Sequence, residues 1–242
     1  MTAGEVRLPR IPWTRVAPEP LAARFVERPN RFTAVVELAD GVPARAHLPN
    51  PGRLTGTLEP GCEVLLDGPY PPPRSLPYTV VAAREGRTLV CTVTTYANRL
   101  FPALRRLGMF PELPAGDLAA EVVHGPSRFD FRAGGVLVEV KSVTLRGSGG
   151  WGLFPDAVTA RGARHVRELA ELARRGRPAA IVFMAQRGDV RRIAPAKEID
   201  PAFAAALAEA ARAGVALLGC AVRMRRRGAV SARRVPVDLD YE

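Results

Sequence analysis

Lysine is almost missing from this chain: Lys141 and Lys197 are the only two among its 35 basic residues. Cysteine is also scarce. Cys62, Cys91 and Cys220 are odd in number and form no close pair, so neither a disulfide framework nor a zinc site is supported, and all three read as core residues of apolar strands. Aromatic residues make up 6% of the chain, too few for nucleic-acid recognition that leans on base stacking. No apolar run is long enough to span a bilayer, which excludes a membrane helix. The first residues, with Arg7 and Arg10, lack the apolar stretch and small residues of a signal peptide. A soluble protein of a reducing compartment, by default the cytoplasm, is the expectation.

What is present in excess is positive charge. The 242 residues carry 35 Lys and Arg against 24 Asp and Glu, a formal net charge of +11. Such a balance favours a polyanionic partner, because each neutralised phosphate releases counterions. Arginine spread over the surface by compositional bias would give the same number. Where arginine so dominates, the lysine at position 141 is conspicuous, since a compact, deprotonatable donor does chemistry that a guanidinium does not.

The first part of the chain reads as short strands: Arg31–Ala39, Val42–Leu48, Glu63–Asp67, Tyr78–Arg84 and Arg87–Thr95. Asp40-Gly41 and Glu85-Gly86 supply hairpin turns, and Pro69–Pro77 (PYPPPRSLP) is an exposed loop. Five strands without intervening helix fit a Greek-key barrel of the OB type. The second part alternates: a helix over Tyr96–Leu107, strands over Leu118–Val123, Ser127–Arg132 and Val136–Ser142, and an amphipathic helix over Thr159–Arg175. A strand at Ala179–Ala185, a helix at Pro201–Ala213 opened by Asp200, and a strand at Val215–Val222 follow. This is α/β architecture. Two domains are expected, 12–95 and 96–242. The tail from Arg223 to Arg234, with six arginines, reads as a solvated basic segment.

Chemistry concentrates in one hairpin. Gly134-Gly135 joins Ser127–Arg132 to Val136–Ser142, and a two-residue loop there sets Asp130 opposite Glu139 and Arg128 opposite Lys141. Alternation then gives Asp130, Glu139 and Lys141 one face, with Phe129, Phe131, Val138 and Val140 on the other. Opposed carboxylates repel unless a cation, a shared proton or a base intervenes. Asp130 and Glu139 could hold Mg²⁺ or Mn²⁺ with a backbone carbonyl and waters, and Lys141 could orient a water against a phosphate. A turn at Gly125-Pro126 would bring Glu121 to Asp130 as a third acid. A surface hairpin with polar residues outward would show the same pattern. The following helix carries Arg161, Arg164, His165 and Glu168 at spacings that share a face, suited to a phosphate backbone or to solvated ion pairs. Arg31, Arg45 and Arg53 are the corresponding phosphate-contact candidates on the barrel.

The segments RFTAVVEL, AHLPNPGRLTG, EPGCEV, TYANRL, SRFDF, VEVKSVTL, FPDAVTARGARHVREL and PAKEIDP occur together in this order. In this the chain resembles the sugar fermentation stimulation (SfsA) family over nearly its whole length. The resemblance implies an N-terminal OB fold followed by a restriction-endonuclease-like α/β domain of the PD-(D/E)XK kind. Its motif acids fall on Glu121, Asp130 and Glu139, and its lysine on Lys141. It also implies non-specific DNA binding with a regulatory link to sugar, particularly maltose, utilisation. RNA suits a basic barrel groove as well, and active DNA or RNA cleavage is the alternative function. Asp156 belongs to the family signature, as a further ligand or as a cap of the helix near Thr159. Leu48-Pro49-Asn50-Pro51-Gly52, Val93-Thr94-Thr95, Ala160 and Arg164-His165 depart from the family's usual residues, and none of these removes a proposed metal ligand. Neither oligomeric state nor effector is legible.

Overall fold

A computed structural model describes residues 5–125 and 127–241. Its first strand, β1 (Glu5–Ile11), belongs to the second domain's sheet. The barrel follows in β2 (Leu21–Asn30), β3 (Thr33–Leu38), β4 (Pro43–His47), β5 (Glu63–Asp67) and β6 (Tyr78–Glu85), with β7 (Thr88–Cys91) added beside β6. Pairing of Ala46 with Tyr78 and His47 with Thr79 joins β4 to β6 and closes five strands into a barrel. Closure removes free edges and leaves Phe25, Val36, Leu48, Val64, Leu66 and Val80 as its filling.

The barrel was anticipated, but its strands differ by one. The sequence pattern points to β7 as a barrel strand in place of β2. The sequence LAARFVERPN hides its inward positions, Ala23 and Phe25, among exposed charged residues, and Pro29 weakens the strand pattern further.

The linker leads into α1 (Tyr96–Arg106), then β8 (Leu118–His124), β9 (Ser127–Ala133), β10 (Val136–Val143), β11 (Leu145–Arg146), β12 (Trp151–Phe154) and α2 (Ala160–Arg174). Next come β13 (Ala179–Ala185), β14 (Arg192–Pro195), α3 (Pro201–Arg212), β15 (Ala216–Arg225) and β16 (Gly228–Arg234). Seven strands form one sheet in the order β1-β16-β15-β13-β10-β9-β8, with β10, β13 and β15 parallel. Of these, β13 reads as an unbroken apolar run because helices cover both faces. Helix α1 packs Leu100, Phe101 and Leu104 on one side, with Phe131, Val138 and Val140. Helices α2 and α3 cover the other, with Val166 and Leu169 against Ile181, Phe183, Phe203 and Leu207. A small sheet, β11-β12-β14, flanks them.

The tail after Arg223 is not a solvated segment. It completes β15 and forms β16, which β1 covers on its outer side. Ala229, Ser231 and Ala232 are buried between its arginines; small inward residues give weak hydrophobic periodicity, so the strand escapes a pattern search. Among the described residues no helix is long and apolar enough to cross a membrane.

Candidate functional site

The hairpin forms as its sequence dictates. Gly134 and Gly135 both take positive φ (52° and 96°), which a two-residue type I′ turn requires, and Ala133 pairs with Val136. Arg132–Leu137 and Phe131–Val138 follow in the anticipated register, and there the ladder stops. Asp130 leaves it. Its side chain replaces the backbone partner, Oδ2 accepting the Val140 N–H at 2.8 Å, while Oδ1 accepts from Asn98 Nδ2 of α1 at 2.6 Å. On the far side, β8 pairs Ala120 with Phe131 and Val122 with Phe129, skipping Glu121, whose φ of 54° is left-handed. The strand turns at this point. Phe131 therefore joins the core under α1, as expected, but Phe129 joins the one under α2 and meets the His165 ring at 5.7 Å.

Glu139 is buried at the centre of the cluster. Its Oε1 accepts from Lys141 Nζ at 2.7 Å and lies 2.9 Å from His165 Nδ1, while Oε2 is buried with no partner among the described residues. Burial would raise the Glu139 pKa, but the charge and hydrogen bond of Lys141, with those of His165, hold it below the ordinary carboxylate range. Asp130 moves the opposite way: burial first, then the charge of Glu139, pushes its pKa up. Two neighbouring acids with opposite shifts mark a site where charge is divided by environment.

The expected set is thus assembled in part. Asp130, Glu139, Lys141 and His165 come together. Glu121 is level with Asp130 in the β8–β9 register, but its side chain is exposed and ion-paired with Arg128 at 2.9 Å, and the β9–β10 ladder ends before Arg128 and Lys141 could pair. His165 is buried, whereas Arg161 and Arg164 of the same helix are exposed, Arg164 near Glu168 at 3.7 Å, so these three do not share one solvent face. Arg45 and Arg53 are exposed on the barrel. Arg31 lines a cleft of about 500 Å³ at the domain junction together with Arg161, Asn50, Ser142, Thr144 and Asp156.

Asp156 does not cap α2. That role falls to Thr159, whose Oγ1 accepts from Gly162 N at 3.1 Å. Asp156 instead faces the barrel, accepting from Leu54 N at 3.3 Å, with its carboxylate pressed against Gly52. Burial, more than any other cause, raises its pKa. Sequence reasoning overlooked Asn98, although it stands inside the TYANRL segment. It also overlooked Gln186, at the end of β13, whose Nε2 donates to Ser142 Oγ (2.6 Å) and Val93 O (3.0 Å). Nothing in an apolar strand ending in Ala-Gln marks that glutamine beforehand.

The donor set can be tested against a divalent cation. An unpartnered buried carboxylate oxygen on Glu139, beside Asp130, is what a cation ligand requires. Among the described residues, no group of three or more His, Cys, Asp and Glu side chains is gathered to hold a metal. Two carboxylates fit Mg²⁺ or Mn²⁺, which fill the remaining positions with waters and substrate oxygens, better than an all-protein cage.

A closed OB barrel, joined to an α/β domain that buries an acid pair and a lysine in its central hairpin, defines a two-domain class of protein. Two family profiles match this division: the SfsA N-terminal OB domain over residues 26–92, and the Sugar fermentation stimulation protein RE domain over residues 95–228. The chain belongs to the sugar fermentation stimulation protein family. The homolog of Pseudomonas paraeruginosa is 41% identical over 89% of this chain and 96% of its own length. The Moorella thermoacetica homolog is 45% identical over 81% and 86%. The solved structure of Pyrococcus furiosus SfsA in complex with Ca²⁺ aligns with a TM-score of 0.82 at 28% identity, covering 94% of this chain and 99% of that one.

Proposed function

We propose that this chain is a cytoplasmic, non-specific DNA-binding protein that grips the phosphate backbone across its domain junction. The observation carrying the reading is that Arg31 of the barrel and Arg161 of α2 line one cleft that also takes in Ser142, the neighbour of Lys141. The net charge of +11 supports it. The family's name links it to sugar fermentation, and control of sugar use, maltose in particular, is the physiological role we attach to that binding. In this reading Asp130 and Glu139, of the PD-(D/E)XK pattern, hold Mg²⁺ or Mn²⁺; a relative solved with Ca²⁺ supports cation binding in the family. The bound cation would supply charge against a phosphodiester oxygen. Asn98 and the Val140 N–H fix the Asp130 carboxylate, and His165 with Lys141 fixes Glu139 Oε1, leaving Oε2 to take the cation.

The test is anisotropy of labelled DNA against the full chain, with and without Mn²⁺. Wild type should bind with steep salt dependence, and Arg31→Ala/Arg161→Ala should lower the slope of log K on log salt by about 2. Salt-insensitive or absent binding sinks the reading. RNA of equal length, binding tenfold tighter than DNA, would change the partner. The second reading, active hydrolysis, is favoured by the unpartnered Glu139 Oε2 and the adjacent Lys141. It requires cleavage with Mg²⁺ or Mn²⁺ that Lys141→Ala abolishes.

A further inference from the structure

Away from that cleft, two hairpins bring six arginines together. Arg84 and Arg87 of the β6–β7 hairpin line a groove of about 650 Å³ together with Arg223, Arg225, Arg226 and Arg227 of the β15–β16 hairpin, and among the described residues no acidic one lines it. Leu89, Met224 and Val230 form its apolar lining. Three of the cations are engaged: Arg84 with Glu63 at 3.0 Å, Arg227 with Glu19, and Arg226 with the Pro20 carbonyl at 3.0 Å. Arg87, Arg223 and Arg225 are exposed and have no acidic partner among the described residues. Like charges held this close repel one another, and an anion in the groove relieves the repulsion.

Arg223 and Arg225 stand on either side of the buried Met224, both exposed at the rim of the groove, about 6.6 Å apart along the strand. A repeating line of guanidinium forks suits the successive phosphates of a polymer better than one small anion. A membrane surface is a poorer fit, because none of the exposed large hydrophobic residues lines the groove. Position adds to this. Through β13, Cys220 of β15 stands level with Ser142 of β10, so Arg223 lies just past the candidate site at the same end of the sheet. Two strand spacings and four residues separate it from Lys141, roughly 15 Å.

We infer that this groove is a second phosphate track, holding the nucleic-acid backbone a few nucleotides from the Asp130–Glu139 cluster. The inference rests on the DNA-binding reading but concerns a different surface. The experiment measures DNA affinity from 50 to 200 mM salt for wild type and for Arg87→Gln/Arg223→Gln/Arg225→Gln. The triple variant should lower the slope of log K on log salt by about 2 to 3 and weaken binding about tenfold or more at 100 mM. The matching triple lysine variant should restore the slope. If the glutamine variant does not fold, Arg87→Gln alone, at a hairpin turn, should lower the slope by about 0.9. Wild type that binds DNA with a slope the variants leave unchanged overturns the groove and spares the junction. Wild type that binds no DNA overturns both. A loss confined to phosphatidylserine vesicles, with DNA binding intact, would make the groove a membrane patch and also overturn the inference.

Discussion

Replacing Gly52 by alanine tests whether the barrel loop and Asp156 form one packed unit. A Cβ on Gly52 would stand 2.1 Å from each Asp156 carboxylate oxygen and 2.4 Å from its Cγ, more than about 1 Å inside van der Waals contact. Neither side yields easily. Arg28 donates to the carbonyls of Gly52 (2.7 Å), Arg53 (3.0 Å), Asn50 (2.9 Å) and Arg31 (2.7 Å), and Gly52 N donates to Asn50 Oδ1 at 2.8 Å. Asp156 is held by Leu54 N of the same loop. Gly52 is not a positive-φ residue, so alanine meets only the steric conflict. Overpacking of this kind costs about 1–3 kcal/mol, and the lost hydrogen bond places the expectation near the top of that range. Urea unfolding should show a midpoint lower by about 1 M at unchanged slope. In the double variant Gly52→Ala/Asp156→Ala the conflict disappears, so the cycle should return a coupling of about 1–2 kcal/mol. Additivity within about 0.5 kcal/mol would refute the close approach.

Arg187 is fully buried and spans the two domains, donating to Asp189 (2.7 and 2.8 Å), Glu85 (2.8 Å) and the Thr144 carbonyl (3.0 Å). Arg187→Met leaves two acids facing each other and should cost about 3–5 kcal/mol by urea unfolding; a loss below 1 kcal/mol would contradict this account. Asp67 accepts three backbone N–H groups, from Arg15, Val16 and Ala17, together with the Tyr70 hydroxyl. Burial opposes them, but the Tyr70 hydroxyl and these N–H groups carry the Asp67 pKa below its ordinary value. A lowered carboxylate pKa contributes stability that is complete above the unfolded value, about 3.9, and is lost as pH falls through the folded one. Unfolding free energies between about pH 2 and 6 should therefore fall less steeply in Asp67→Asn than in wild type, and identical slopes would count against the assignment.

The large features of the fold lie on the surface of the sequence because they rest on local rules. Gly134-Gly135 fixes a hairpin, Asp200 with Pro201 opens α3, and unbroken apolar runs such as AAIVFMA are parallel strands covered on both faces. What escaped rests on partners far along the chain. β2 has only Ala23 and Phe25 as buried inward side chains among exposed residues, and β16 carries alanine and serine before its arginines, so only the strands beside them identify them. The hairpin's register was legible as far as Phe131 and Val138, and the departure of Asp130 was not. That departure depends on Asn98, 32 residues away on α1, and on a left-handed Glu121 on the neighbouring strand. Lys141, by contrast, stood out through composition alone, and its Nζ is bonded to Glu139.

The candidate site is built at the seam between the domains and depends on both. Its Asp130 is fixed by the first helix after the linker, and Ser142 beside Lys141 is tied through Gln186 to Val93 in the linker itself. Thr94 in turn reaches the Pro49 carbonyl of the barrel loop, whose Gly52 carries Asp156. Arg187 and Glu85 close the circuit from the other side, through Thr144. Most of these links are polar contacts between buried or half-buried groups, and loss of a partner there leaves the remaining group unsatisfied. A change of the barrel's position therefore strains the contacts that hold Ser142 and Thr144, on either side of the strand end that carries Lys141. The barrel acts as part of the scaffold of the acid–lysine cluster, and separating the domains would be expected to disturb the cluster even with every residue of the hairpin retained.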